Sequence, residues 1–100
     1  MEQLFAKKIL EIVKLVPKGK VTTYQGIARI AGNERAYRAA GNALHQNKYP
    51  IVIPCHRVVC SNGYIGGYGG GVRKKKKILT SEGIIIKKEK IDLKKFGWKI

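Results

Sequence analysis

The stretch TTYQGIARIAGNERAYRAAGNALHQ, residues 22–46, decides the fold of this 100-residue chain. Thr22 or Thr23 can cap a short helix, YQGIARIA, by accepting hydrogen bonds from its first backbone N–H groups. Gly32 and Asn33 then predict a tight turn, because both residue types tolerate positive φ. A second helix is predicted from about Glu34 to Gln46. Two short helices joined by such a turn form a helix-turn-helix pattern.

The segments around this pattern complete a winged-helix-like arrangement. Residues 2–16 place apolar side chains at helical spacing and predict a first helix. The β-branched run at 51–53, which stands before a proline, predicts a short buried strand. Residues 73–83 predict a basic helix that closes at a glycine, and the residues after it predict a strand or a short helix. The expected fold class is mainly α, a winged-helix-like helix-turn-helix domain with a short strand or hairpin.

The basic charge of the chain indicates a polyanionic partner. Lysine and arginine number 21 against 6 acidic residues, which gives a net charge of +15. The excess is spread over the whole chain and is not confined to a tail, and such a field favours nucleic acid through counterion release. A lysine-rich surface of the thermophile type is the alternative, but it usually brings glutamates in comparable number.

The two cysteines and the hydropathy of the chain indicate the cellular compartment in which the protein is expected. Cys55 and Cys60 are too close in sequence to staple distant segments, and two thiols suit a reducing cytoplasm. No apolar run approaches the ~18–20 residues that a membrane span needs. We therefore expect a cytoplasmic protein that does not associate with membranes. Its residues 1–100 are expected to form one domain, monomeric and without a separate N-terminal domain.

The second helix of the pattern presents small residues, namely Ala36, Ala39, Ala40, Gly41 and Ala43. Small side chains permit the close approach of another surface, which is either a neighbouring helix of the same domain or a nucleic acid groove. Arg35 and Arg38 stand among them. The two arginines indicate a nucleic acid groove, because in a helix–helix contact their charges would stand beside an interface that excludes water.

Residues 54–58, PCHRV, place a cysteine beside a histidine. A thiolate is the reactive form of cysteine, an imidazole can take the thiol proton, and a carboxylate can orient that imidazole. Adjacent residues of a strand point to opposite faces, so contact between the pair requires a turn or a bridging water. Taken alone, the dipeptide is better explained by a buried structural cysteine. A metal site is not expected, because the cysteine and histidine spacing fits none of the usual zinc patterns.

Taken together, the motifs resemble the O6-alkylguanine-DNA alkyltransferases, the methylated-DNA–protein-cysteine methyltransferases. PCHRV is similar to their active-site motif, and GKVTTYQGIARIAG, YRAAGNAL, SNGYIGGYGGG and LTSEG occur in the order and spacing of that family. The resemblance covers about residues 4–84 and is to the C-terminal DNA-binding and active-site domain of these proteins. One departure is Gly69, where many relatives have serine.

The resemblance implies DNA repair by single-turnover transfer of a methyl or small alkyl group from O6-alkylguanine in double-stranded DNA to Cys55. It implies that His56 deprotonates the thiol through a water and that Glu82 orients His56. No cofactor and no metal are implied. The resemblance also implies that Tyr68 donates a proton to guanine and that Asn47 ties the recognition helix to the active-site turn. It implies base flipping from the minor groove, with DNA contacts by Tyr24, Arg38, Ala39, Gly41 and Arg57. The flipped base would contact Val58 and Gly69.

Two alternatives stay open. The alkyltransferase-like proteins share this domain but replace the cysteine, so a non-catalytic sensor of alkylated bases is the second hypothesis, against which Cys55 argues. A plain helix-turn-helix regulator is the third hypothesis, and it offers no reason for the set Cys55, His56 and Glu82. Salt-dependent DNA affinity does not separate the three, since all are basic.

Overall fold

The computed structural model of the protein describes residues 2–46, 53–68 and 71–99. The helices are α1 (Glu2–Val13), α2 (Tyr24–Ile30), α3 (Tyr37–His45), α4 (Val72–Ser81) and α5 (Leu93–Phe96), with 3-10 turns at Glu34–Ala36 and Cys55–Arg57. The strands are β1 (Thr22–Thr23), β2 (Val58–Val59), β3 (Ile86–Lys87) and β4 (Lys90–Ile91). The mainly helical class with a small hairpin is confirmed.

The helix-turn-helix unit forms as the turn and cap residues predict. The Thr23 hydroxyl accepts a hydrogen bond from the Gly26 N–H at 2.9 Å and so caps α2. Gly32 takes φ of 106°, in the region that favours glycine. The predicted second helix differs at its start, because the Asn33 side chain accepts from the Arg35 N–H and caps a separate 3-10 turn. Regular α-helix begins only at Tyr37.

Two apolar clusters hold the helices in place. The first lies among α1, α2 and α3 and contains Ile9, Val13, Ile27, Ala28, Ala40, Ala43, Leu44, Ile53 and Val58. The second lies beneath α4 and the C-terminal segment and contains Val21, Val59, Ile65, Leu79, Ile84 and Ile91. Successive residues of β2 therefore enter different clusters, because side chains alternate across a strand. The strand ties the two halves of the core together.

Strand pairing fixes the position of the PCHRV segment. β1 and β2 pair in parallel, with Thr22 opposite Val58 and Thr23 opposite Val59. The segment just before β2 is thereby held beside the start of α2. The predicted strand at 51–53 lies for the most part outside the described residues, and of its members only Ile53 is described, as buried. The strand at 58–59 was not predicted from the sequence.

The C-terminal third closes the second cluster. Antiparallel β3 and β4 form a hairpin, and its two tip residues, Lys88 and Glu89, both have positive φ. The chain then returns to the start of the helix-turn-helix unit, where Gly97 lies opposite Val21 and the Trp98 N–H donates to the Val21 carbonyl at 2.7 Å. Among the described residues, no helix is long and apolar enough to cross a membrane.

Candidate active site

A tight turn at Pro54 separates Cys55 from the preceding chain. The Cys55 N–H donates to the Ile53 carbonyl at 2.7 Å, and Pro54 has φ of −78° and ψ of 66°, the values of an inverse γ-turn. Cys55 then opens a 3-10 turn that ends at Arg57. Because the cysteine and the histidine lie on a turn, they do not alternate across a sheet. The expected turn at Pro54 is confirmed.

His56 contacts Glu82 across the site. Its Nε2 lies 3.1 Å from Oε1 and 3.2 Å from Oε2 of the Glu82 carboxylate. The imidazole is 1% exposed. Ionised carboxylate only accepts hydrogen bonds, so Nε2 must carry the proton that is shared with Glu82. In neutral imidazole the other nitrogen, Nδ1, is then unprotonated and can accept a proton.

The environment of His56 favours that neutral form. Burial lowers the pKa of His56, and the charges of Arg57 and Lys75 act in the same direction, whereas the hydrogen bond and charge of Glu82 oppose the shift. The Nδ1 atom is buried and has no hydrogen-bond partner among the described residues. A buried nitrogen without a partner is unusual in a folded protein and marks a position where a proton or a ligand is expected.

Glu82 is held by an arginine and by the end of α4. Arg57 donates from Nε to Oε1 at 3.0 Å and from one terminal nitrogen to Oε2 at 2.7 Å, a bidentate pair. Burial raises the pKa of Glu82, but the hydrogen bonds and charges of Arg57 and His56 outweigh burial and lower it. The carboxylate therefore stays ionised while it orients the imidazole.

The backbone at the end of α4 aims Glu82 at His56. The Gly83 N–H bonds the Thr80 carbonyl and the Ile84 N–H bonds the Leu79 carbonyl, which together make a Schellman motif. Gly83 has φ of 92°, as that motif requires. Because Glu82 is the residue just before this glycine, the helix end sets the direction of its side chain.

A cavity of about 330 Å³ opens beside the thiol. Its described lining is contributed by α2, α3, the PCHRV segment and the glycine-rich loop: Tyr24, Gly41, Leu44, His45, Cys55, Gly67 and Tyr68. Burial and then the charge of Cys55 raise the pKa of Tyr68. Burial and then the charges of Cys60 and Cys55 raise the pKa of Tyr24. Both phenols therefore remain protonated donors next to the thiol.

Lys75 was missed by sequence reasoning. Its side chain is fully buried, and its ammonium donates to the carbonyls of Val58 at 2.8 Å and Gly67 at 3.1 Å. Burial lowers its pKa to about 8, against the opposing charges of Cys60 and Cys55. The signal was present, because four consecutive lysines at 74–77 cover most of a helical turn and one of them must face inward.

The structure brings some predicted residues to the site and directs others elsewhere. Arg38 and Ala39 are exposed on α3, and Val58, the last residue of the PCHRV segment, is buried. Arg57, predicted on DNA, instead turns inward to Glu82 and also donates to the Val16 carbonyl at 2.8 Å. Its charge is used within the fold, so we do not place it on DNA.

Two predicted site residues cannot be located in the structure, and two further features bear on the chemistry of the site. Asn47 and Gly69 lie outside the described residues. Cys55 and Cys60 are not joined by a disulfide in the described part of the chain. No cluster of three or more histidine, cysteine or acidic residues there could hold a metal ion.

The comparison that decides the family is with a model described as the DNA-binding domain of 6-O-methylguanine DNA methyltransferase, which matches residues 4–84. The chain belongs to this family. The matched domain covers residues 4–84 and is the N-terminal one in this chain, so the expectation of a C-terminal domain is wrong.

Named relatives of this alkyltransferase-family chain include the human methylated-DNA–protein-cysteine methyltransferase. It is 46% identical over 83 residues, which cover 82% of this chain and 40% of the human protein. The corresponding protein of Methanothermobacter thermautotrophicus is 44% identical over 80% of this chain and 44% of its own length. The chain therefore spans less than half the length of these relatives, which are DNA alkyltransferases by name.

One solved structure matches over almost its full length. It is S. pombe Atl1 in complex with damaged DNA containing O6-carboxymethylguanine, with 31% identity, a TM-score of 0.89, and coverage of 98% of this chain and 97% of that one. The complex of Mycobacterium tuberculosis OGT with DNA has 35% identity and a TM-score of 0.77, over 79% of this chain and 48% of that one. Both neighbours are DNA complexes.

Proposed function

We propose that the protein repairs DNA by transferring the alkyl group of O6-alkylguanine in duplex DNA to Cys55, once per molecule. The observation that carries the proposal is the relay in which Glu82 fixes the proton of His56 on Nε2 and leaves a buried, unprotonated Nδ1. A thiol beside such an imidazole has a base that is oriented in advance. The cavity at Cys55 supplies room for a base.

The transfer balances without a cofactor. The Cys55 thiol gives its proton to Nδ1 of His56 through one water, and the imidazolium formed is stabilised by Glu82. The sulfur then forms a bond to the alkyl carbon while the bond from that carbon to O6 breaks. Guanine takes the electron pair of that bond and a proton from Tyr68, whose raised pKa keeps it protonated beforehand. The thioether on Cys55 is stable, so turnover stops after one transfer.

Access to a base inside a duplex requires that the nucleotide be rotated out of the stack. We assign that step to α3, where exposed Arg38 fills the vacated space, and where exposed Ala39 and half-buried Gly41 permit close approach to the minor groove. Tyr24, on the wall of the cavity, crowds the adjacent phosphate. The backbone of Val58 and Gly69 would contact the flipped base, and Asn47 would tie α3 to the thiol segment.

The proposal is tested by mass spectrometry after incubation with a duplex that carries one O6-methylguanine. We expect the peptide containing Cys55 to gain the mass of one CH₂ unit, in a stoichiometry that does not exceed one per protein. Cys60 serves as a control thiol within the same molecule and should remain unmodified. A folded protein that binds the duplex and gains no mass at Cys55 would sink the proposal.

A non-catalytic lesion sensor is the second candidate function. The observation that favours it is the match to S. pombe Atl1 along 97% of that chain, in a complex with damaged DNA. The sensor hypothesis gives no role to the relay of His56 and Glu82. It predicts tight binding to the O6-methylguanine duplex, with the methyl group still on the DNA at the end of the incubation.

A further inference from the structure

Arg38 is an exposed arginine whose proposed task requires one particular conformation. To fill a vacated base stack, its guanidinium must extend from α3 into the duplex. A free arginine side chain loses about 2 kcal/mol of rotamer entropy when it is fixed in one such conformation. Any neighbour that orders the side chain before DNA arrives reduces that loss and speeds base extrusion.

Tyr37, the first residue of α3, is such a neighbour. The Arg38 guanidinium carbon lies over the Tyr37 ring, 6.0 Å from its centroid, within the range of a cation–π contact. The ring is 44% exposed, which is high for a large aromatic side chain. Proteins that bind single-stranded nucleic acid use exposed aromatic rings of this kind as surfaces on which bases and arginine side chains stack.

The Tyr37 ring also borders a cavity close to the proposed site. It lines a second cavity, of about 320 Å³, together with Tyr24, Gln25, Cys60 and Ser61. Tyr24 lines both this cavity and the thiol cavity and so lies between them. An added Cβ at Gly41 would lie 3.8 Å from the Tyr24 ring, so α3 approaches Tyr24 closely. Tyr37 therefore borders the same cavity as Tyr24, the residue that also lines the cavity at Cys55.

We propose that Tyr37 is a positioning residue for base extrusion, which acts by holding the guanidinium of Arg38 on the exposed face of α3. This inference rests on the proposed function, because it assigns Tyr37 to the base-extrusion step. Tyr37 touches neither the alkyl group nor the thiol in this scheme. Its contribution is confined to substrates in which a stacked, paired base has to be replaced.

The test compares methyl transfer in Tyr37→Ala and wild type on two substrates. On duplex O6-methylguanine we expect a fall in the single-turnover rate of about two- to five-fold, which corresponds to an exposed cation–π contact. On a single-stranded oligonucleotide with the same lesion, where no stacked pair is opened, we expect no change. Tyr37→Phe keeps the ring and should keep the duplex rate. Equal slowing on both substrates would assign Tyr37 a merely structural role and overturn the inference.

Two controls separate Tyr37 from general surface effects. Tyr64→Ala removes an equally exposed tyrosine, at 45% exposure, outside the helix-turn-helix unit, and should leave both rates unchanged. In an Arg38→Ala background, Tyr37→Ala should have no further effect, because residues that act through one another are not additive. An undiminished effect of Tyr37→Ala in that background contradicts the proposal.

Fluorescence of 2-aminopurine beside the lesion reports extrusion whether or not the methyl group moves. If wild type extrudes the base but gains no mass, the proposed transfer fails and the Tyr37 inference is still decided, since Tyr37→Ala should extrude the base more slowly. Equal extrusion by wild type and Tyr37→Ala overturns the inference alone. Absence of extrusion by wild type overturns it as well.

Discussion

Arg38 and Arg57 are both basic residues near the proposed site, yet the fold treats them in opposite ways. Arg38 is exposed on α3 and rests on an aromatic ring. Arg57 is 15% exposed, and its guanidinium donates to both oxygens of Glu82 and to the Val16 carbonyl. The two arginines therefore use their charge differently: Arg38 stays exposed, where we propose that it meets DNA, and Arg57 orders the carboxylate of Glu82. The two arginines should respond to substitution in different measurements.

The largest effect is expected from Arg57→Met, which removes the bidentate partner of Glu82. The pair is part-buried and Glu82 keeps its contact with His56, so the free energy of unfolding should fall by about 1–3 kcal/mol. The matched change Arg38→Met should alter it by less than about 0.5 kcal/mol, because the side chain is exposed. Urea unfolding of both variants measures the difference. Equal stability of the two would contradict the division of roles.

Lys75 is a third basic residue to compare, a buried cation whose partners among the described residues are backbone carbonyls. Its pKa is lowered from 10.5 to about 8, so between these values the unfolded chain holds a proton that the folded chain has released. Stability must rise with pH in that window. Relative to Lys75→Met, the unfolding free energy of wild type should therefore rise by up to about 3 kcal/mol from pH 8 to 10.5.

The control for Lys75 is Lys77→Met on the same helix, where the side chain is exposed. Subtraction of each variant from wild type removes the pH effects of groups that do not interact with the substituted lysine. A difference curve for Lys75→Met that is as flat as the one for Lys77→Met would show that the buried ammonium keeps its ordinary pKa.

A smaller effect on stability is expected from Gly83→Ala, which tests whether the end of α4 sets the direction of the Glu82 side chain. An added Cβ would meet no atom within 4 Å, so strain at φ of 92° is the cost. Left-handed backbone costs a non-glycine residue about 1–2 kcal/mol. Thermal unfolding measures the loss, and Gly32→Ala, at φ of 106° with open space around it, is the matched control. Both variants should lose similar stability, whereas only Gly83→Ala should slow methyl transfer.

Sequence patterns predicted local structure well where a single residue type decides it. A cap at Thr22 or Thr23 was predicted because a threonine hydroxyl can accept from a free helix N–H, and the structure places it at Thr23. The turn at Gly32 and the helix end at Gly83 were predicted because few residues other than glycine adopt positive φ. The parallel pairing of β1 with β2 was not predicted, since two-residue strands far apart in sequence carry no local signature. That pairing places the PCHRV segment beside α2.

The orientation of charged side chains was the other limit of prediction. Glu82 was placed near His56 through family resemblance, and their contact agrees with that expectation. Arg57 was expected on DNA through the same resemblance, and its local sequence gives no sign of an inward partner. Only the folded arrangement, which brings Glu82 and the Val16 carbonyl to it, fixes the direction of its side chain.

In the proposed mechanism, the base for Cys55 is an imidazole whose Nδ1 is unprotonated at neutral pH. Nitrogen-15 NMR of the His56 ring at pH 7 tests this most directly, because the chemical shifts of the two ring nitrogens report which of them carries a proton. We expect a neutral ring with a protonated Nε2 and an unprotonated Nδ1, and loss of that tautomer preference in Glu82→Gln. A doubly protonated ring, or a proton on Nδ1 in the wild-type protein, would contradict it.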